Sequence, residues 1–337
     1  MTRVARATMF LAWLWVIASG VPAEAQIVVK LGTIAPEQSV WHDALLRIRQ
    51  EWRDLSNGEI ELRIYAGGVL GGEDEMIRKM QRRGLDALAI SGSALPQIDD
   101  IVSCLEIPLL FDSYEQLDRV RRQIAPDLEA QLERRGYKVL GWLEAGWVHF
   151  FAKRPVSVPG DLRSQRLWIS TGQPETERLF NQFGFRVVAL PVTDMLTGLQ
   201  TGLIDAIDVP PLFALVDRSY REAEYMTDLG FSPLNSAVIM TLPVWQQLPE
   251  RYHSALIASV QRAIDRLRVD IQAAERDAIN EMSARGLTVV TLDDSQLAEW
   301  QSLARSVYPE LACSRKYPEL FERVLQLRRQ DDERNSN

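Results

Sequence analysis

A chain of 337 residues with 46% hydrophobic content is long enough for two domains with proper cores, and a net charge of −8 argues against nucleic acid as a partner. Two cysteines, Cys104 and Cys313, are too few for a structural zinc site. The three histidines, His42, His149 and His253, lack metal-ligand spacing, so no metal and no cofactor is expected.

Residues 1–25 have the makeup of a cleavable signal peptide: Arg3 and Arg6 at the start, an apolar run from Met9 to Val21, then Ala23-Glu24-Ala25. The mature chain is expected to begin near Gln26, to be exported, and to have no membrane insertion of its own. In an oxidising compartment Cys104 and Cys313 are candidates for a disulfide, and their separation in sequence leaves the pairing open.

"IVVKLGTIAP" predicts a buried strand closed by Pro36. Trp41, Leu45, Ile48, Trp52 and Leu55 recur at steps of four and three, one face of a helix ended by Asn57-Gly58. "EIELRIYAGG" predicts a second strand, residues 73–83 a helix and "GLDALAISGS" a third strand. Glu73, Asp74 and Glu75 at that helix start suit the macrodipole and would repel phosphate, although glycines precede them.

The same order returns in "RLWIST", "ETERLFNQFG", "FRVVALP", "VTDMLTGLQTG" and "LIDAIDVPP". Between the two sets, "GYKVLGWLEAGWVHFFAKRPVSVPGDL" predicts a strand crossing from one lobe to the other, and residues 229–245 a second crossing. From Leu256 to Met282 one apolar face persists, predicting a helix roughly 50 Å long that spans both lobes. "LTVVTL" adds a strand, and a polar tail after about Arg328 is expected to lack order.

The fold class is therefore α/β: a clam-like, two-lobed binding protein with mostly parallel sheets. Lobe I takes residues 26–146 and 235–274, lobe II takes 147–234 and 275–315, and residues 316–337 form a C-terminal helix and tail. Ligands of such sheets sit beyond the carboxyl ends of the strands, here between the lobes, where hinge closure can enclose them. No Gly-x-Ser-x-Gly elbow, Walker motif or nucleophile–base pair is found, so no enzyme is expected.

The stretches "LGTIAPEQSVW", "YAGGVLGGEDEMIRKMQRRGLDA", "IPLLF", "GWLEAGWVHFFAKRPVSVPGDL", "LPVTDMLTGLQTGLIDAIDVPP" and "LPVWQQLPE" occur in an order that resembles the solute receptors of TRAP transporters, the DctP-like group. The resemblance covers nearly the whole mature chain. It implies a periplasmic receptor that closes on a small molecule and delivers it to a membrane permease driven by an ion gradient. Typical members hold organic acids with an arginine at the end of the strand after the "P-x-D-L" turn. Aligned on Pro159, Asp161 and Leu162, that position is Trp168 here. A second family arginine corresponds to Val148 after Gly146, and a polar residue to Val209.

An indole and two isopropyl groups in place of polar contacts favour a hydrophobic or uncharged ligand, because a carboxylate buried without its arginine is penalised. Trp147, Phe150, Phe213, Leu212 and Trp41 are candidates to extend that lining, and Glu73 is counted with them as a ligand-binding candidate. Arginine restored at 168 is expected to weaken binding of such a ligand. The alternatives are an organic-acid receptor using Lys153, Arg154 or Arg186, and a periplasmic sensor or lipid carrier without its own permease.

Overall fold

The structure, a computed structural model, describes residues 26–335; the signal-peptide expectation at 1–25 lies outside the described residues. The first unit runs β1 (Ile27–Thr33), α1 (Val40–Leu55), β2 (Ile60–Tyr65), α2 (Glu73–Gln81) and β3 (Ala87–Ile90). Ser39 caps α1 by accepting from the His42 amide, and the buried residues of that helix, Leu45, Ile48 and Trp52, keep the predicted spacing. An addition to the expected elements is α3 (Tyr114–Arg134), whose Leu117, Val120, Ile124, Leu128 and Leu132 face the core.

The chain continues through β4 (Tyr137–Ala152), α4 (Pro159–Arg163), β5 (Arg166–Ser170), α5 (Pro174–Gln182), β6 (Arg186–Leu190), α6 (Met195–Gln200), β7 (Ala206–Val209), α7 (Pro211–Asp217) and β8 (Tyr225–Thr227). It then returns through β9 (Ser232–Thr241), α8 (Leu242–Gln247), α9 (Glu250–Ala284), β10 (Thr288–Val290), α10 (Asp294–Val307), α11 (Ala312–Lys316) and α12 (Pro318–Asn335). The strand order is β2-β1-β3-β9-β4-β7-β5-β6, with β8 and β10 paired to one side. Pairing is parallel among β2, β1 and β3 and among β7, β5 and β6. The two long crossing strands β4 and β9 run antiparallel to their neighbours and to each other.

Each half of this sheet is covered on both faces, and α9 runs through both halves. Val260 and Ile264 pack with Leu31 and Trp52, whereas Met282, five turns on, packs with Phe151 and Ile207. A 35-residue helix is long enough for that because each residue adds about 1.5 Å.

Two expectations need correction at the C-terminus. The chain stays helical past Arg328, because Asp331 is buried against α3 and accepts both Nε and a terminal nitrogen of Arg119. The stretch from Tyr308 to Cys313, expected in lobe II, belongs with the first half, where Tyr308, Leu311 and Cys313 pack in the core. Cys104 and Cys313 are joined in a disulfide with their Cα atoms 5.1 Å apart. It fastens α11 to the turn at Asp100–Leu105.

Candidate ligand-binding cleft

A cavity of about 340 Å³ lies between the halves, beyond the carboxyl ends of β1, β3, β5 and β7. One wall is built from Thr33 to Pro36, the apolar face of α1 and Ser91-Gly92-Ser93. The other is built from Trp168 to Ser170, Asp208 to Pro210 and the apolar face of α5. Leu179 and Phe180 of α5 and Phe183 just after it line the cavity, and no residue of that helix is fully buried in a core. At the back, Phe150 stacks on Trp300 at 5.2 Å and touches Phe231 at 5.0 Å.

Of the residues singled out in the sequence, Trp41, Val148, Phe150, Trp168, Val209 and Phe213 line this space. Trp41 and Phe213 come from opposite halves and bring their rings within 6.4 Å. Trp168 contributes less than its position suggested. It is 5% exposed, its Nε1 donates to the Leu190 carbonyl at 3.0 Å, and most of the indole packs in the core of the second half. An arginine there would have to bury its charge, so that substitution would report on folding as well as binding.

Three candidates are corrected. Trp147 packs against Gly230 and, edge-on, against Tyr114, away from the cavity. The cause is a bulge in β4: the register against β9 slips between Glu144 and Gly146. Leu143 and Ala145 face the cavity before the slip and Val148 and Phe150 after it, so the alternation changes parity. Gly146 has φ +127°, and a Cβ there would meet Pro210 at 2.8 Å. Leu212 turns toward α9, packing with Leu267, Ile271 and Ala278. Glu73 is buried behind the cavity wall, accepting from the Ser91 amide and hydroxyl, each at 2.6 Å. Burial pushes its carboxyl up to about 7 despite those bonds, and its effect is to hold the Ser91-Gly92-Ser93 turn in place.

The sequence matches the bacterial extracellular solute-binding proteins of family 7, the DctP family, over residues 31–314. The chain belongs to that family. The receptor is 25% identical to the 2,3-diketo-L-gulonate-binding periplasmic protein YiaO of Escherichia coli, over 74% of this chain and 76% of that one. It is 21% identical to the C4-dicarboxylate-binding periplasmic protein DctP of Rhodobacter capsulatus, over 88% and 90%. Two TRAP periplasmic solute binding proteins of known structure share its fold. One, from Shewanella oneidensis with bound succinate, has a TM-score of 0.84 at 17% identity over 90% of this chain and 100% of that one. The other, from Desulfovibrio salexigens with bound orotic acid, scores 0.83 at 18% identity over 90% and 99%. The two-lobed α/β architecture and the solute-binding character follow.

The electrostatics of the receptor's cleft were not anticipated. Among the described residues, no lysine, arginine or histidine lines it, whereas Asp100, Glu106, Glu175, Asp208 and Glu310 do. Three of these carboxylates are paired: Asp100 with Lys316 at 2.5 Å, Glu175 with Arg178 at 3.2 Å and Glu310 with Arg178 at 3.7 Å. Near these pairs, Gln97 of the first half donates to the Thr171 carbonyl of the second at 3.0 Å. Glu106 and Asp208 have no ion pair among the described residues. Burial pushes Glu106 up to about 8, with Asp208 adding to the effect, and pushes Asp208 up to about 7. The signal for both was a lone acid in an apolar run, "CLEIPLLF" and "AIDVPP".

The cations considered in the sequence are engaged elsewhere or lie outside the lining. The Lys153 Nζ donates to the Leu199 carbonyl at 2.5 Å, and Arg154 donates to the Ser164 carbonyl at 2.9 Å. Arg186 is exposed on β6, and Arg166 forms a bidentate pair with Asp205 at 2.7 and 2.8 Å.

Gly92 makes room for the Glu106 carboxylate. A Cβ at 92 would stand 1.7 Å from Glu106 Oε1 and 2.2 Å from the Asn235 carbonyl oxygen. The backbone neighbour cannot rotate away, so Gly92→Ala is expected to destabilise the receptor by about 1–3 kcal/mol, measured by urea unfolding. An unchanged midpoint would show that this wall is not tightly packed.

Proposed function

We propose that the receptor captures, in the periplasm, a solute with a large apolar portion and no anionic group, and delivers it to the membrane permease of a TRAP transporter. Closure would bring together residues 26–146 with 235–274 and residues 147–234 with the segment from 275 to about 307, the C-terminal remainder moving with the first lobe. The observation that carries this reading is the lining: aromatic and aliphatic side chains from both halves, with no cation among the described residues to receive a carboxylate. Burying roughly 300 Å² of apolar surface is worth about 7 kcal/mol before association costs, enough for micromolar binding at best.

A second reading has support from the relatives, whose names or bound ligands include 2,3-diketo-L-gulonate, C4-dicarboxylates, succinate and orotic acid. An acid in this cleft would have to draw in a cation from outside the lining. Mass spectrometry of solvent extracts from receptor purified out of the periplasm, against a mock purification, separates the two. The expected result is a recurring compound with an aromatic or long aliphatic body. A small dicarboxylate or sugar acid would overturn the apolar reading in favour of the second.

A further inference from the structure

We propose that Glu106 and Asp208 form the polar end of the cleft and receive the protonated nitrogen of an organic cation, whose apolar body lies against Phe150, Phe180 and Phe213. The proposal rests on the apolar-cleft reading above and adds the charge of the solute.

The cavity and the acids are independent observations that meet at one place. The cavity is a cleft of ligand size and largely apolar, which by itself calls for an apolar body. The acids are then the exception within it. Glu106 lies at the end of the turn that follows β3, and its Oε1 accepts from the Asn235 amide at 2.8 Å. Asp208 projects from β7, between Ile207 and Val209, both buried in the core of the second half. The two come from opposite halves, so closure brings them toward each other, and the charge of Asp208 acts on Glu106.

The contrast with the mouth of the cleft decides the sign. There Asp100, Glu175 and Glu310 have lysine and arginine partners supplied by the protein. The inner two have none among the described residues. Burial raises both carboxyls into the neutral range in the empty cleft, and a cation between them would favour their ionised form and satisfy the charge that the apolar cavity leaves unsolvated. An ammonium or amidinium supplies that charge together with several N–H donors, which suits the acceptor-only chemistry of ionised carboxylates. An anionic solute would find no cation in the lining to receive it and would oppose ionisation of both acids.

The test is isothermal titration calorimetry of the whole receptor, at neutral pH and moderate salt, with three compounds on one phenylbutyl skeleton: the amine, the alcohol and the carboxylate. The amine is expected to bind about tenfold or more tighter than the alcohol, as a charge-assisted hydrogen bond would give. The carboxylate should bind weakest. In Glu106→Gln and in Asp208→Asn the preference for amine over alcohol should collapse toward unity. The second variant serves where the first fails to fold. An amine no tighter than the alcohol would overturn the cation while leaving the apolar cleft standing. A carboxylate that binds tightest would overturn both. So would binding by none of the three in a receptor that shows a cooperative melt.

Discussion

Replacing Cys104 and Cys313 together by serine is expected to destabilise the receptor by about 2–5 kcal/mol, the range for native disulfides of small secreted domains. The bond closes a loop of 209 residues, so its loss frees a long stretch of the unfolded chain. It also detaches α11, which otherwise holds the C-terminal segment against the first half and lines the cleft through Leu311 and Ala312. Other contacts remain at that seam, among them Tyr308 Oη donating to the Pro108 carbonyl at 2.9 Å and the Arg119–Asp331 pair. The fold should therefore survive, with a melting temperature lower by roughly 3–8 °C. Scanning calorimetry of the double variant, and of the native receptor with and without a thiol reductant, measures this. Equal melting points would mean that the segment is held without the bond.

The stability of the unliganded receptor should fall as the pH rises from about 5 to about 8. Burial raises Glu73 to about 7, Glu106 to about 8, Asp208 to about 7 and Asp217 to about 6, and raises Glu275 as well. A carboxyl whose folded value lies above its unfolded one binds more protons when folded. Its contribution is fully present below the unfolded value, near 4.5 for glutamate, and is lost as pH climbs through the folded value. Glu73 is the firmest case because it is only 4% exposed, and its share is about 3 kcal/mol. Glu106 and Asp208 remain partly accessible from the cleft, so solvent moderates their shares. His149, lowered by burial, acts in the opposite sense below its ordinary value of 6.5, one group against five.

Below pH 4 the trend reverses. Arg178 holds Glu175 below its ordinary value, and Arg166 does the same for Asp205. Burial pushes Asp99 up, but bonds from Tyr317, Gln131 and Arg135 outweigh it and hold it low. Their stabilisation is present above the unfolded values and disappears as pH drops through the folded ones. Urea unfolding from pH 3 to 8 should show a maximum between about 4 and 5, and Glu73→Gln should flatten the alkaline slope. Stability that rises steadily to pH 8 would contradict the burial of these acids.

Much of this molecule was legible in its sequence because local periodicity carries it. The spacing of Trp41, Leu45, Ile48 and Trp52 sets α1, and the face from Leu256 to Met282 sets α9. The motif order from "LGTIAPEQSVW" to "LPVWQQLPE" led to the family, and the family to the cleft. The cleft residues were only half legible. Trp147 was misassigned because a bulge, which is a relation between β4 and β9, reverses which residues face inward. Glu73 was misassigned because its partner, Ser91, lies on another element 18 residues away. Glu106 and Asp208 were overlooked because an acid in an apolar run can equally be solvated or buried.

By itself, then, the sequence determined most of the strands, the helices α1, α2, α5, α6 and α9, their order and the family. Each of these depends on neighbours along the chain or on motif identity. Tertiary structure decided the rest: the Cys104–Cys313 bond, the order of the C-terminal helix past Arg328, and a cleft whose charge is wholly acidic among the described residues. Those features arise when segments from both halves and the C-terminus meet, and only the packed chain fixes which carboxylates find a cation and which do not.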